Sequence, residues 1–356
     1  MSDSLVIVSH AGPYRVDFAR IPEALAQDGK PRHVIVDSRV AQLHAERLAP
    51  ILTHAASVLE IEATEENKSL DAFPAYVEHL VANGLRRDHL LLAIGGGIIQ
   101  DITCFLASTM LRGVDWHFIP TTLLAQADSC IGSKSSVNCG AAKNILGTFK
   151  PPRHIVLDTR FLDTLDRREI HSGIGEILKV HAIAGPQAFD TLAAEFDALF
   201  TDDTALNRAI RRALEIKKAY IETDEFDTGP RLVFNFGHSF GHAIEAATHF
   251  AIPHGIAVTI GMDMAATIAA GLGLEDGSAL SRMHTVLAAN YRGYENLDIP
   301  LDPFMAALAK DKKNTGAGQV TVILPRPDGS VARVAVAADE RLRSLCARYL
   351  DQGRRA

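Results

Sequence analysis

Five short apolar runs punctuate the chain, and the spacing between them changes part-way along. Arg32 to Asp37 (RHVIVD) is a β-branched run closed by an acid, and HLLLAI runs into Gly95-Gly96-Gly97. Trp116 to Pro120 (WHFIP) ends in Thr121-Thr122, and HIVLD covers His154 to Asp158. These runs read as buried strands. Between the first two, Leu70, Phe73, Val77, Leu80 and Val81 fall at helical spacing, and Asn83-Gly84 gives a stop. A helical segment is also expected after Gly97. This alternation predicts an α/β domain. Beyond HIVLD the pattern turns mostly helical, with Ala/Leu/Ile-rich stretches carrying Glu, Lys and Arg on their other faces. One late run, Gln319 to Pro325 (QVTVILP), returns to strand character. Pro151-Pro152 marks the expected seam, so the reading is an α/β nucleotide-binding domain over residues 1–153 and a mainly helical domain over 154–356. A site in the cleft of such a pair is a common arrangement.

Composition narrows the class. With 356 residues, 47% of them apolar and 22% charged, the chain has the balance of a globular protein with a full core. A formal net charge of −7 argues against nucleic acid or an acidic membrane as whole-surface partner. Four cysteines without CxxC pairing suit a reducing compartment, and the N-terminal MSDSLVIVSHAG lacks the marks of a signal peptide. The uncharged run Leu90 to Ile99 is too short to span a bilayer as a helix. A cytoplasmic protein is expected.

Three groups of residues could carry chemistry. Gly95 to Gly97, between strand and helix, could let a diphosphate approach the helix N-terminus, with Asp37 placed to hold a ribose hydroxyl. The same glycines could equally make a tight turn at positive φ. His238 and His242 are four apart and share a helical face, so spacing alone nominates both as metal ligands or as two hydrogen-bonded helix histidines. His254 and Glu176 add an imidazole and a carboxylate, enough for a three-ligand site with an open position. Finally, Lys134, Lys143, Asn144, Lys179, Lys217, Lys218, Arg231, Asn235, Lys312 and Lys313 sit in apolar or glycine-rich surroundings. Single lysines of this kind are ordinarily solvated surface. Their clustering in an acidic chain suits a small polyanion.

GGGIIQD, RGVDWHFIPTTLLAQADSCIGSKSSVN, KNILGTF, SGIGEILK, NFGHSFGHAIE and PHG occur in one order between about Val34 and about Leu324. In this the chain resembles the dehydroquinate synthase and sugar phosphate cyclase family. The resemblance implies a Rossmann-like NAD domain, a helical metal domain and a homodimer. It implies Glu176, His238 and His254 as ligands of zinc, with cobalt as a substitute, and moves His242 to the substrate. For NAD it points to Asp37, Glu65, Lys68, Gly95, Gly96, Gly97, Asp101, Thr121, Thr122, Leu123, Thr164 and Leu165. For a phosphorylated sugar acid it points to Asp128, Lys134, Lys143, Asn144, Lys179, Lys217, Arg231, Asn235, His242 and Lys313. Arg112 corresponds to an arginine that reaches the neighbouring subunit. Lys179, Lys217 and His242 are the candidates for proton handling and hydroxyl orientation, with Asp128 and Lys134 counted beside them as catalytic. The implied activity is that of a phosphate-eliminating carbon–oxygen lyase of the shikimate pathway of aromatic amino acid biosynthesis. Transient oxidation by NAD is followed by loss of phosphate, re-reduction and an intramolecular aldol closure.

Arg231 at the position expected to meet a substrate carboxylate, together with the retained His242, favours 3-deoxy-arabino-heptulosonate 7-phosphate and hence 3-dehydroquinate as product. Gln100 in place of glycine, Ser133 and Ser135 around Lys134, and Ile256 after PHG depart from the pattern. They leave a specialised relative open, such as an aminodehydroquinate or 2-deoxy-scyllo-inosose synthase. A metal-dependent polyol dehydrogenase shares the architecture but needs no lysine-rich phosphate site. A non-catalytic binding protein would not need the intact Glu176, His238 and His254.

Overall fold

The computed structural model describes residues 4–21, 29–140, 142–310 and 318–354. The chain divides into two compact units. The first holds residues up to Asp166 together with Lys218–Asp227. Its seven-stranded sheet comprises β1 (Ser4–Ile7), β2 (Tyr14–Phe18), β3 (Arg32–Asp37), β4 (Ser57–Ile61), β5 (Leu90–Gly95), β6 (Asp115–Pro120) and β9 (His154–Leu157), in the order β1-β2-β9-β6-β5-β3-β4. All neighbours run parallel except the edge strand β1. A short hairpin, β7 (Val137–Cys139) and β8 (Ala142–Leu146), stands apart from the sheet.

Every residue of β5 is buried, as expected for a central parallel strand covered on both faces. Val34, Val36, Leu92, Ile94, Ile119, Val156 and Phe161 form one core with Leu48 beneath helices α1 (Ser38–Leu43) and α2 (Ala45–Leu52). The expected helix after Ser69 begins as a 3₁₀ turn, Leu70–Ala72, and continues as α3 (Phe73–Ala82), stopped by Gly84 at φ +73°. It buries Phe73, Tyr76 and Leu80, while Val81 is exposed. Helix α4 (Gly97–Thr109) follows the glycine run.

The boundary expected after residue 153 lies instead after Asp166. β9 is hydrogen-bonded between β2 and β6, so Pro151-Pro152 feeds a strand of the first sheet rather than ending the unit. Lys218–Asp227 belongs here as well. Glu222 accepts from the Val8 amide at 2.9 Å, and Glu225 accepts from the His10 amide at 2.7 Å.

The second unit, Arg167–Lys217 and Thr228–Ala356, is helical with one hairpin. Its helices are α5 (Arg167–Ala184), α6 (Pro186–Ala194), most of α7 (Asp203–Thr223), α8 (His238–Ala247), α9 (His254–Leu272), α10 (Ser278–Asn290), α11 (Leu301–Ala309) and α12 (Glu340–Arg348). The hairpin pairs β10 (Gln319–Pro325) with β11 (Val331–Ala337). α9 is long and apolar enough to cross a membrane, yet most of it is buried at the centre of this unit. Beside it, the fully buried Asp263 accepts from Tyr291 and Tyr349 at 2.9 Å each and pairs with His284 at 3.0 Å.

α5, α8 and α9 meet backbone to backbone. A Cβ on Gly255 would lie 1.8 Å from the Ser172 carbonyl oxygen, one on Gly175 would lie 2.1 Å from that of Gly255, and one on Gly261 would lie 2.1 Å from that of Gly237. The obstacles are main-chain atoms, which cannot rotate aside. Gly255→Ala is therefore expected to destabilise the protein by about 2–3 kcal/mol or more, as overpacked cores do, read as a lower urea midpoint.

Candidate active site

The parallel sheet reverses its winding between β3 and β5, because β4 lies to one side of β3 and β5 to the other. Ligands of open α/β sheets bind at the carboxyl ends of strands at such a point. Asp37 ends β3, and Gly95 ends β5 beside it. The Asp37 carboxylate caps α1 by accepting from the Arg39 amide at 2.9 Å, and burial raises its pKa. None of Gly95, Gly96 and Gly97 has positive φ, so the tight-turn reading of this run fails. The first two are needed for packing: a Cβ would meet Ile99 at 2.6 Å and Thr122 at 2.9 Å respectively. At Gly97 a Cβ would meet nothing, so this glycine leaves open space over the helix N-terminus. Thr121 and Thr122 follow β6 on the same edge, Leu123 is buried behind them, and Thr164 bonds His44 at 2.8 Å just before Leu165.

A second cluster in this unit joins residues expected on cofactor and on substrate. The buried Lys68 ammonium lies 3.0 Å from Asn144 Oδ1, 3.3 Å from Glu65 and 3.5 Å from Asp101. Asn138 was not singled out from the sequence, although it stands in the SKSSVN run. It donates to Glu65 at 2.8 Å and accepts from the Asn144 amide at 2.9 Å. Asn144 itself takes φ +52°. Burial raises the Glu65 carboxyl, but Asn138 and Lys68 outweigh it and hold it below the ordinary range. Asp101 goes the other way. Burial outweighs Lys68 and the Ser136 amide and pushes it up to about 6. Lys143 is exposed on the same hairpin, Lys134 pairs with Asp227, and Asp128 is buried in a π turn, Ala125–Ser129. Arg112 is exposed at φ +62° and joins neither cluster, and Lys313 lies outside the described residues.

The helical unit gathers the metal candidates. Glu176 is buried and ion-paired with Lys179 one turn along α5. Its Oε1 lies 3.4 Å from His254 Nε2 and 3.9 Å from His238 Nε2. Each imidazole is aimed by its other nitrogen. His238 Nδ1 donates to the Phe236 carbonyl at 3.2 Å, and His254 Nδ1 meets Glu245 at 3.2 Å. Burial lowers the His254 pKa, but Glu176 and Glu245 together outweigh it and carry it up to about 10. A carboxylate and two oriented imidazoles are a donor set that fits a divalent metal. His242 joins the same group, since the three histidines have nitrogens within 4.8 Å of one another, but it is the exposed member. Glu245 was not anticipated; its signal was a carboxylate one helical turn after His242. The 3₁₀ turn Pro230–Asn235 carries Arg231, which is buried, and Asn235, which is partly exposed, and its Phe234 ring lies 5.7 Å from the Lys179 ammonium. Lys217 is buried near the end of α7.

Residues 58–172 match the model of the 3-dehydroquinate synthase N-terminal domain, and residues 173–314 match that of its C-terminal domain. The chain belongs to the 3-dehydroquinate synthase family. It is 36% identical over 312 residues to a 3-dehydroquinate synthase of Alkaliphilus metalliredigens, covering 86% of this chain and 87% of that one. Among solved structures, 2-epi-5-epi-valiolone synthase from Streptomyces hygroscopicus subsp. jinggangensis, with NAD+ and Zn2+ bound, is similar at a TM-score of 0.83 and 30% identity, over 96% of this chain and 97% of that one. A 2-deoxy-scyllo-inosose synthase complexed with carbaglucose-6-phosphate, NAD+ and Co2+ shares the fold at a TM-score of 0.81 and 24% identity, over 98% and 99% of the chains. Family membership makes this chain a sugar phosphate cyclase, with the Rossmann-like and helical units expected from its sequence.

Asp101 gives this site a pH signature. Its folded-state pKa stands above the ordinary 3.8, so the folded protein holds this proton more tightly than the unfolded chain does. Stability from this group is thus full at the acid end and is lost as pH rises from about 4 to about 6. Asp101→Asn is expected to remove that decline, so that urea midpoints of variant and parent diverge across this window.

Proposed function

We propose that this cyclase is a 3-dehydroquinate synthase, converting 3-deoxy-arabino-heptulosonate 7-phosphate to 3-dehydroquinate and phosphate as a cytoplasmic homodimer dependent on NAD and zinc. The observation that carries the reading is the buried Glu176 carboxylate, held by Lys179 and facing the Nε2 atoms of His238 and His254. These three residues would hold the zinc. When bound, zinc would supply Lewis acidity to substrate hydroxyls and NAD a reversible hydride acceptor, so that cofactor is recycled rather than consumed.

The chain's own residues bind, orient and handle protons around that chemistry. Asp37, Glu65, Lys68, Gly95, Gly96, Gly97, Asp101, Thr121, Thr122, Leu123, Thr164 and Leu165 form the NAD site, and the open face at Gly97 supports close approach of a diphosphate. Lys134, Lys143 and Asn144 bind the phosphorylated end, with Asp128 orienting a hydroxyl. Arg231, buried in the same 3₁₀ segment as Asn235, is suited to a carboxylate in a geometry that lysine does not provide. That cation favours the heptulosonate over substrates lacking an acid. His242 is the exposed member of its histidine group and contacts substrate rather than metal. Lys179 and Lys217 hold the hydroxyl network from buried positions, and the leaving phosphate itself takes a proton. Lys313 and Arg112 complete the substrate contacts, Arg112 from the second subunit.

The deciding assay incubates the purified protein with NAD and the heptulosonate phosphate, following phosphate release and carbocycle formation. Turnover without net NADH is expected. Turnover only with glucose 6-phosphate or sedoheptulose 7-phosphate would replace the substrate and keep the chemistry, and stoichiometric NADH from a simple polyol would sink the cyclase mechanism. Metal retention tests the ligand set separately. Glu245→Gln removes the carboxylate that orients His254, and about a 10- to 100-fold weaker metal affinity is expected, with activity returning as zinc is added. Unchanged metal affinity would remove Glu245 from the support of the site.

A further inference from the structure

The opening turns of α4 do more than close the glycine run. Gln100, which closes the first of them, is only 6% exposed. Its Nε2 donates to the Ser129 carbonyl at 2.6 Å, and its Oε1 accepts from the Ser129 hydroxyl at 2.8 Å. A carbonyl oxygen can only accept, so the amide orientation is fixed and both ends of the side chain are committed to one residue. Ser129 closes the π turn Ala125–Ser129 and directly follows Asp128. The other end of that turn is pinned to the sheet, where Gln126 donates to the carbonyls of Pro120 at 3.0 Å and Asp158 at 3.1 Å. The next residue of α4 holds a different segment, since Asp101 accepts from the Ser136 amide at 3.0 Å. One helix start therefore carries the glycine run at Gly97, a clamp on Asp128 through Gln100 and a clamp on Ser136 through Asp101.

We propose that Gln100 is a positioning residue that fixes Asp128 relative to the cofactor-binding end of α4, acting through Ser129. The inference rests on the functional reading of Asp128 and Gly97 given above. Glycine at this position could make neither bond, so the clamp is a property of this chain's own sequence. π turns, with their loosened backbone bonding, recur at functional positions, and a second anchor is what such a turn needs to hold one pose.

Gln100→Glu separates the clamp from packing, because the shape is kept and the charge state decides the bond. The carboxylate can still accept from the Ser129 hydroxyl but cannot donate to the Ser129 carbonyl, whereas the protonated acid can do both. At neutral pH the variant is expected to lose about tenfold in kcat with KM for the sugar phosphate little changed. The ratio of variant to parent kcat should then recover as pH falls. Hydrogen exchange of the amides from Ala127 to Ile131, measured on Gln100→Ala, gives a readout independent of turnover, with faster exchange expected there and no change in β5. A kcat ratio that is flat with pH, or unchanged exchange in that segment, would overturn the proposal. If the parent converts no sugar phosphate at all, the functional reading fails instead, and the exchange experiment alone decides whether Gln100 holds the turn.

Discussion

Contact between main chains, without side chains between them, organises the helical unit that carries the metal candidates. α5, α8 and α9 approach so closely that carbonyl oxygens fill the space where side chains would stand. The glycines that permit this are the immediate neighbours of the three metal candidates. Gly175 precedes Glu176, Gly237 precedes His238, and Gly255 follows His254. A residue next to a backbone contact has little freedom in where its Cβ points, so the three side chains are aimed before any hydrogen bond forms. Hydrogen bonds then settle the ring orientation, through the Phe236 carbonyl for His238 and the Glu245 carboxylate for His254. Preorganisation of this kind is what separates a site from a coincidence of residue types.

The ion pair of Glu176 and Lys179 makes sense only in that setting. Both groups are almost wholly buried. Desolvating two charges costs several kcal/mol each, and an apolar pair of similar volume is often no less stable. The pair is therefore a poor stability device, and its worth lies in what Glu176 faces. A carboxylate kept between a lysine and two imidazoles by a close-packed helical wall is the arrangement that the proposed zinc site requires. The Phe234 ring beside Lys179 extends that wall toward Arg231 and Asn235.

Much of this was legible from the sequence, and for identifiable reasons. The five apolar runs are all strands, because buried parallel strands and a buried hairpin strand leave continuous apolar stretches. β7 and β8 were not visible: they are short and β8 is mostly exposed, so polar and apolar residues carry no period there. β11 was missed because its small residues (VARVAVA) are mostly not buried and blend into the surrounding helical composition. Gly95 to Gly97 lie between strand and helix as expected, but the positive-φ turn offered as one reason for them is absent. Their need is close packing and open access, not positive φ. Histidine spacing alone paired His238 with His242, since periodicity sees one helix at a time. Glu176 and His254 come from two other helices; their residue types made them candidates, but only packing or a family resemblance can place them beside His238.

The departures from the family pattern bear on substrate choice once their surroundings are known. Ile256 is buried in α9, two residues past His254. Ser135 is buried and bonded to the Thr148 hydroxyl at 2.7 Å, and that hydroxyl is also bonded to Ser108 at 2.7 Å. Ser133 is buried as well, while Lys134 between the two serines remains exposed with its ammonium on Asp227. Gln100 is spent on Ser129. None of these side chains is presented to solvent as a new substrate contact; they alter how the segments bearing Asp128, Lys134 and His254 are supported. In the proposed reading, discrimination between phosphorylated sugars falls to charged groups, above all the buried Arg231, whose planar guanidinium suits a carboxylate. The departures thus lie within the scaffold, and the proposed carboxylate-bearing substrate turns on the charged residues instead.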